Sequence, residues 1–293
     1  MSRALCLYAA LLCITVVAWL WDSGPAIGGL ARSDRAWGLM GIVAVYLGSH
    51  LFRMLRLALL TLDERDKIFP LMAAHGLTAF PSSFLPFKLG EILRLAAFFR
   101  VYDRHRKAFA VWLVERFGDV LVIACFILGL YLFKVDIPDS MRIIFVLFVM
   151  VSVIGLVGLF AFAKALVYLN RHLVLSSHSR RGLVLLRFSH ALQTLEADIR
   201  RSVESRVSGF ILLSVLVWST EIAALSLFVH RFSSGNPDFS ALFVSGLLAS
   251  VAGDAAGGTA AFGFYQSLCL ATVALVALIT VLLSTVLRSA GGK

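Results

Sequence analysis

The sequence predicts an all-α polytopic membrane protein with about six transmembrane helices and two re-entrant helical hairpins, arranged as an inverted repeat. Three observations lead there. Hydrophobic residues make up 60% of the 293 and charged residues only 15%, with a mean hydropathy of +0.90. Soluble domains carry about 45–50% apolar and about 25% charged residues. The apolar residues fall into long runs, two of them interrupted by glycine and proline, and the basic residues gather in alternate connections. Together these exclude a soluble enzyme, a disordered chain and a secreted disulfide framework.

A helix needs about 20 apolar residues to cross the hydrocarbon core. Residues 4–21, 37–60, 108–133, 143–163, 207–230 and about 264–287 are runs of that kind. The first, behind Arg3, imitates a signal peptide, but its length and the spans that follow predict a retained helix. Residues 68–87 carry Pro70, Gly76, Pro81 and Pro86, with Ser82 and Ser83 between the last two prolines. Residues 239–263 carry Gly253, Asp254, Gly257, Gly258 and Thr259. Proline removes a backbone donor, and glycine costs about 1 kcal/mol in a helix. Irregular backbone at membrane depth survives only inside protein or beside water. Each segment therefore predicts a re-entrant hairpin, not a continuous crossing.

The chain reads as one domain, 1–293. Its first half runs to about residue 163, a connector occupies 164–206, and the second half is 207–293. In the connector, Leu185, Phe188, Leu192, Leu195, Ile199 and Val203 recur every three or four residues. This predicts an amphipathic helix on the anionic cytoplasmic leaflet; nucleic-acid binding has no motif behind it. With the N-terminus inside, 17 Lys and Arg fall on inside connections and 5 outside. That obeys the positive-inside rule and places both termini in the cytoplasm. Residues 37–60, hairpin 68–87 and 108–133 then mirror 207–230, hairpin 239–263 and 264–287 by inversion. In such repeats the substrate site lies between the halves.

Ten charged residues remain at membrane depth: Arg53, Arg56, Lys88, Arg94 and Arg116 against Glu91, Glu115, Asp119, Glu221 and Asp254. Each costs roughly 2.5–3.5 kcal/mol at the bilayer centre on insertion scales, so they must face inward, sit near helix ends or pair. Lys88, Glu91 and Arg94 follow at three-residue spacing, as do His50, Arg53 and Arg56. Glu115, Arg116 and Asp119 share one helical neighbourhood. Glu221 stands alone in an apolar span, and Asp254 sits at the second hairpin tip. Two readings stay open. The charges lock helices as buried ion pairs, with Arg53, Arg56 and Lys88 also able to snorkel. Alternatively they line a polar cavity whose cations hold an anionic headgroup while the carboxylates pair or couple to protons. Equal numbers of each sign suit both.

Cys6, Cys13, Cys125 and Cys269 lie in apolar runs and read as small buried hydrophobes. The seven histidines form no metal-binding spacing, and no phosphate-cradle motif surrounds the glycines of 253–263. No metal and no cofactor are expected.

Thr78–Val101, TAFPSSFLPFKLGEILRLAAFFRV, followed by VERFGD at Val114–Asp119, resembles the transmembrane flippase-like domain of lysylphosphatidylglycerol synthases. Pro86, Gly90, Glu91 and Arg94 match one family element, and Glu115, Arg116 and Asp119 another; these motifs cover about forty residues. In the second hairpin Gly257, Gly258 and Gly263 are recognisable, but the family proline is absent and Gln266 replaces an acid. The hairpin backbone would rest on Pro81, Pro86, Gly90, Gly257, Gly258 and Gly263. The resemblance implies movement of a lipid or lipid-linked molecule between leaflets; with the membrane arginines this reads as an anionic phospholipid or polyisoprenoid-linked intermediate in a bacterial-type inner membrane, with membrane lipids as partners, and no enzyme activity is expected. The soluble aminoacyl-transfer domain is not in this sequence, so lipid aminoacylation is not expected. Two other readings are a non-transporting subunit scaffolding a lipid or cell-surface glycan synthase, and a membrane-embedded transferase with Glu91 or Asp119 as base. Oligomerisation stays open. The carrier reading expects broken backbone from both leaflets to meet the ionised side chains in a wet pocket.

Overall fold

The computed structural model describes residues 3–31, 35–84, 89–132, 134, 139–176, 180–232 and 260–290. Among them it contains nine α-helices, a 3-10 turn at Arg65–Lys67 and no strand. The helices are α1 (Arg3–Ala31), α2 (Arg35–Leu60), α3 (Ile68–Phe84), α4 (Leu89–Val101), α5 (His105–Leu132), α6 (Asp139–Ser176), α7 (Arg180–Val203), α8 (Val207–Phe232) and α9 (Ala260–Ala290). Every uninterrupted apolar run read from the sequence lies mainly or wholly in a helix, and most of these helices outrun it. Among the described residues, Trp37–Leu60 and Val207–Phe228 are long and apolar enough to cross a bilayer by themselves.

The side chains are sorted as a lipid solvent requires. Leu7, Ile14, Leu51, Ile92, Ile154 and Leu282 point outward, whereas Arg56 and Glu115 are fully buried. Trp21 and Trp37, at the facing ends of the first two apolar runs, are strongly exposed, as interfacial aromatics are. The same sorting corrects the reading of the cysteines. Cys6, Cys13 and Cys125 are exposed, and Cys269 is half-buried. In a membrane helix an apolar position can face lipid as well as core, so hydropathy alone does not bury it.

Helices α2 and α8 pack antiparallel: Arg53 reaches Glu221, Arg56 reaches Ser214, and Leu59 receives Arg206. α2 and α5 are also antiparallel, since Arg56 meets Glu115 and Asp119 while Glu64 meets Lys107. Leu57, Leu60, Leu71, Phe98, Val111 and Phe210 form a core joining α2, α3, α4, α5 and α8. A second core, containing Leu12, Phe80, Val273 and Ala277, joins α1, α3 and α9.

The first interrupted segment differs from its expected form. It is not broken within 68–84: α3 runs through Pro70, Gly76 and Pro81. Pro70 lies in the first turn, where backbone N–H groups have no helical partner anyway. Pro81 deprives the Leu77 carbonyl of its i+4 donor, and the Tyr8 hydroxyl on α1 donates to that carbonyl at 2.6 Å. A Cβ on Gly76 would meet the Thr280 hydroxyl of α9, so this glycine permits a close helix contact. The hairpin therefore pairs α3 with α4, and its second arm extends to Val101, beyond the expected end at residue 87. The arms touch at Gly90, where a Cβ would collide with the Ser82 backbone. The Ser82 hydroxyl donates to the Gly90 carbonyl at 3.1 Å. At the other end Lys67, just before α3, donates to Asp103, just after α4, at 3.3 Å.

Two further boundaries shift. Residues from Lys164 to Ser176 continue α6, so the connector's amphipathic helix is α7 alone. Its stripe is not all membrane-facing: Ile199 and Val203 pack on the first core, while Phe188 is exposed. Residues 239–259 of the second hairpin lie outside the described residues, and Ala260–Gly263 form the first turn of α9.

Candidate functional site

Four arginines and four carboxylates meet where α2, α4, α5 and α8 converge. Arg56 is the centre. Its guanidinium donates to Asp119 at 2.7 Å, to Glu115 at 3.0 Å and to the Ser214 hydroxyl at 3.1 Å, with the Phe210 ring 5.9 Å from its carbon. Arg94 on α4 donates to the same Glu115 oxygen at 2.5 Å. Arg53, one turn before Arg56, donates to Glu221 at 2.6 Å. Ser49 donates to that Glu221 oxygen at 3.3 Å. Arg116 lies 3.3 Å from Glu91 and 3.4 Å from Asp119. Trp112 and Trp218 donate to Glu91 and Asp119 at 3.4 and 3.3 Å.

Close backbone approach makes this possible. A Cβ on Gly118 would overlap the Phe210 ring and press on Ser214, so the missing side chain lets α5 and α8 close around Arg56. The short arm of the hairpin sets the depth. Glu91 and Arg94 stand about 10–15 Å from the C-terminal end of α4 at 1.5 Å per residue.

The cluster is graded in exposure. The side chains of Arg56 and Glu115 are fully buried and those of Arg94 and Asp119 nearly so. Arg116 is 27% exposed beside Glu91 at 22%, and Glu221 is 24% exposed beside Arg53. Each edge thus presents one cation next to one carboxylate. Inside, Arg56 Nε, Arg94 Nε, Glu115 Oε2, Asp119 Oδ2 and two nitrogens of Arg116 are buried without a hydrogen-bond partner. Hydrogen-bonding capacity is therefore held in reserve within an otherwise neutral set.

Several sequence expectations are redrawn. Arg53 and Arg56 do not snorkel; both turn inward and pair. Glu221 is not alone, being held by Arg53 and Ser49. The Glu91 and Arg94 stripe makes no described pair along its own helix, because both side chains reach α5 instead. Lys88, Asp254, Pro86, Gly257 and Gly258 lie outside the described residues, and Gly263 and Gln266 fall in α9. The two cavities described lie away from the cluster: one on α6 at Arg142–Met150, the other a polar pocket of about 270 Å³ at the Asp63, Lys107 and Arg201 end. Around the eight charges the side chains are mated in ion pairs. Among the described residues no group of three or more His, Cys, Asp or Glu is placed to hold a metal ion.

Sequence reading missed Ser49, Ser214, Trp112 and Trp218, and it passed over His50 and His75 as ligands of anything. A signal existed for α8: Ser214, Trp218 and Glu221 recur at four and three, a polar stripe in an apolar span.

The family model for the lysylphosphatidylglycerol synthase TM region matches residues 6–279. The chain belongs to this family. The match spans both charged motifs and nearly every helix of this lysylphosphatidylglycerol synthase TM region, and it identifies a membrane protein. No curated protein and no solved structure matches the chain.

Proposed function

We propose that this protein moves an anionic phospholipid or a polyisoprenoid-linked intermediate between leaflets of a bacterial-type inner membrane, without covalent catalysis. The observation that carries the reading is the neutral cluster of four arginines and four carboxylates, set at the tip of a helical hairpin and holding unpartnered donors and acceptors. Ion pairs in a low-dielectric interior are expensive to assemble, and breaking one leaves an uncompensated charge. A phosphate-bearing headgroup offers the arginines an exchange of partner instead of a loss of partner. The edge pairs, Arg116 with Glu91 and Arg53 with Glu221, are where such an exchange begins. The hairpin arms support a re-entrant placement: α3 and α4 are about 25 and 20 Å long at 1.5 Å per residue, short of the roughly 30 Å core. Both termini lie in the cytoplasm on the basic-residue count.

A second reading has its own observation. Full burial of Arg56 and Glu115 suits a static lock, as in a subunit that scaffolds a lipid or glycan synthase. Reconstitution separates the two. Purified protein in liposomes exchanges a labelled anionic lipid between leaflets, and Arg116→Gln or Glu91→Gln removes the exchange while the protein still folds. A scaffold would show no exchange above empty liposomes and would co-purify with a biosynthetic enzyme. Turnover of a lipid donor would instead establish a transferase.

A further inference from the structure

His50 on α2 and His75 on α3 stand 6.0 Å apart between ring centroids. Both are more than nine-tenths buried, and all four ring nitrogens lack a hydrogen-bond partner. Polar side chains in an interior are nearly always hydrogen-bonded, so two adjacent orphaned imidazoles require an explanation. Arg94 on α4 adds a third buried, unpartnered donor in its Nε, and its charge acts on both rings. Three helices thus bring unused hydrogen-bonding capacity to one region, where Arg94 gives one N–H to Glu115 and keeps its Nε free.

The surrounding groups are mostly cationic. Arg53 on α2 and Arg94 on α4 act on both rings, and Arg116 on α5 acts on His75. Tyr46 packs edge-on to His50 at 5.3 Å, with Glu221 of α8 and Cys269 of α9 beside that tyrosine and Tyr265 beside Cys269. On α1, Tyr8 holds the Leu77 carbonyl, two residues past His75. Glu221 is committed to Arg53. Charge balance then matters. The described cluster is neutral, so a monoanionic headgroup arriving alone would leave it one charge negative inside the membrane. Its carboxylates are already engaged by arginines, whereas the imidazoles are titratable and uncommitted.

We infer that His50, His75 and Arg94 form the oxyanion-binding end of the headgroup site, and that a phosphodiester monoanion binds there together with one proton taken up by the imidazole pair. This rests on the headgroup reading above and adds to it a subsite and a co-bound ion. By linkage, each of anion and proton strengthens binding of the other by the same factor.

The test uses the full-length protein in detergent micelles, titrated with short-chain phosphatidylglycerol by calorimetry in two buffers of different ionisation enthalpy. The expected result is uptake of about one proton per lipid and affinity that weakens about tenfold per pH unit across the coupled range. His50→Gln with His75→Gln is expected to abolish the uptake and flatten the pH dependence, with thermal unfolding verifying the fold. His190→Gln, on the exposed face of α7, leaves both unchanged. Lipid binding by the wild type without proton uptake overturns this inference alone. Uptake that survives in the double variant also overturns it. Failure of the wild type to bind the lipid overturns the headgroup reading as well. A parallel titration with inorganic phosphate separates the sources: uptake with phosphate but none with lipid assigns the subsite to free phosphate and contradicts the headgroup claim.

Discussion

Arg56 and Arg116 carry the same charge in the same cluster but are held differently. Arg56 is fully buried with two carboxylates and a serine around it. Replacing it with glutamine leaves Glu115 to Arg94 and Asp119 to Arg116 and Trp218 but removes the buried cation they share, and the expected loss of stability is about 3–5 kcal/mol, read as a large fall in the thermal midpoint. Arg116 is 27% exposed and leaves Asp119 other partners. Arg116→Gln should cost less than Arg56→Gln, since Asp119 keeps Arg56 and Glu91 keeps Trp112, yet remove lipid exchange. Equal destabilisation by the two changes would contradict the graded cluster. At this scale the sequence was partly legible. Charge at membrane depth had to pair or face inward, and the spacing of Glu115, Arg116 and Asp119 put them on one neighbourhood of α5. Partners could not be read, because helical spacing reports a face and not the helix opposite it. Ser214 and Trp218 mark a stripe on α8, but only the antiparallel packing of α8 shows that it meets Arg56 and Asp119.

The α3 and α4 hairpin shows how breaker residues can instead make contacts. Pro81 is tolerated because Tyr8 from another helix satisfies the Leu77 carbonyl. Tyr8→Phe should leave that carbonyl unsatisfied and cost about 1–3 kcal/mol, measured by thermal unfolding; an unchanged midpoint would remove Tyr8 from this role. Gly90→Ala forces a methyl into the Ser82 backbone and should cost about 1–3 kcal/mol through overpacking. Gly129→Ala, where nothing lies within 4 Å, should be neutral or stabilising by up to about 1 kcal/mol. If the two alanine variants behave alike, the close contact at Gly90 is not what holds the arms together. Proline and glycine signalled an unusual segment in the sequence. They did not show whether the irregularity would be a break or a close approach, since the compensating Tyr8 and Thr280 lie about 70 and 200 residues away in sequence and propensity is local.

For the whole molecule, the helical class and the position of most helices followed from hydropathy, since a helix is one of only two ways to satisfy backbone in lipid. Which face of each helix meets lipid did not follow, as Cys6, Cys13 and Cys125 show. These three thiols should resist a membrane-impermeant maleimide in bilayer nanodiscs and react with a lipid-soluble one; rapid labelling by the impermeant reagent would place them in water. The most direct measurement is leaflet exchange in proteoliposomes carrying a labelled anionic lipid, comparing wild type with Arg116→Gln at equal protein density. The expected result is exchange by the wild type that falls to the rate of empty liposomes in the variant. Equal exchange by both, or none by either, would contradict the assignment of the arginine and carboxylate cluster to headgroup transport.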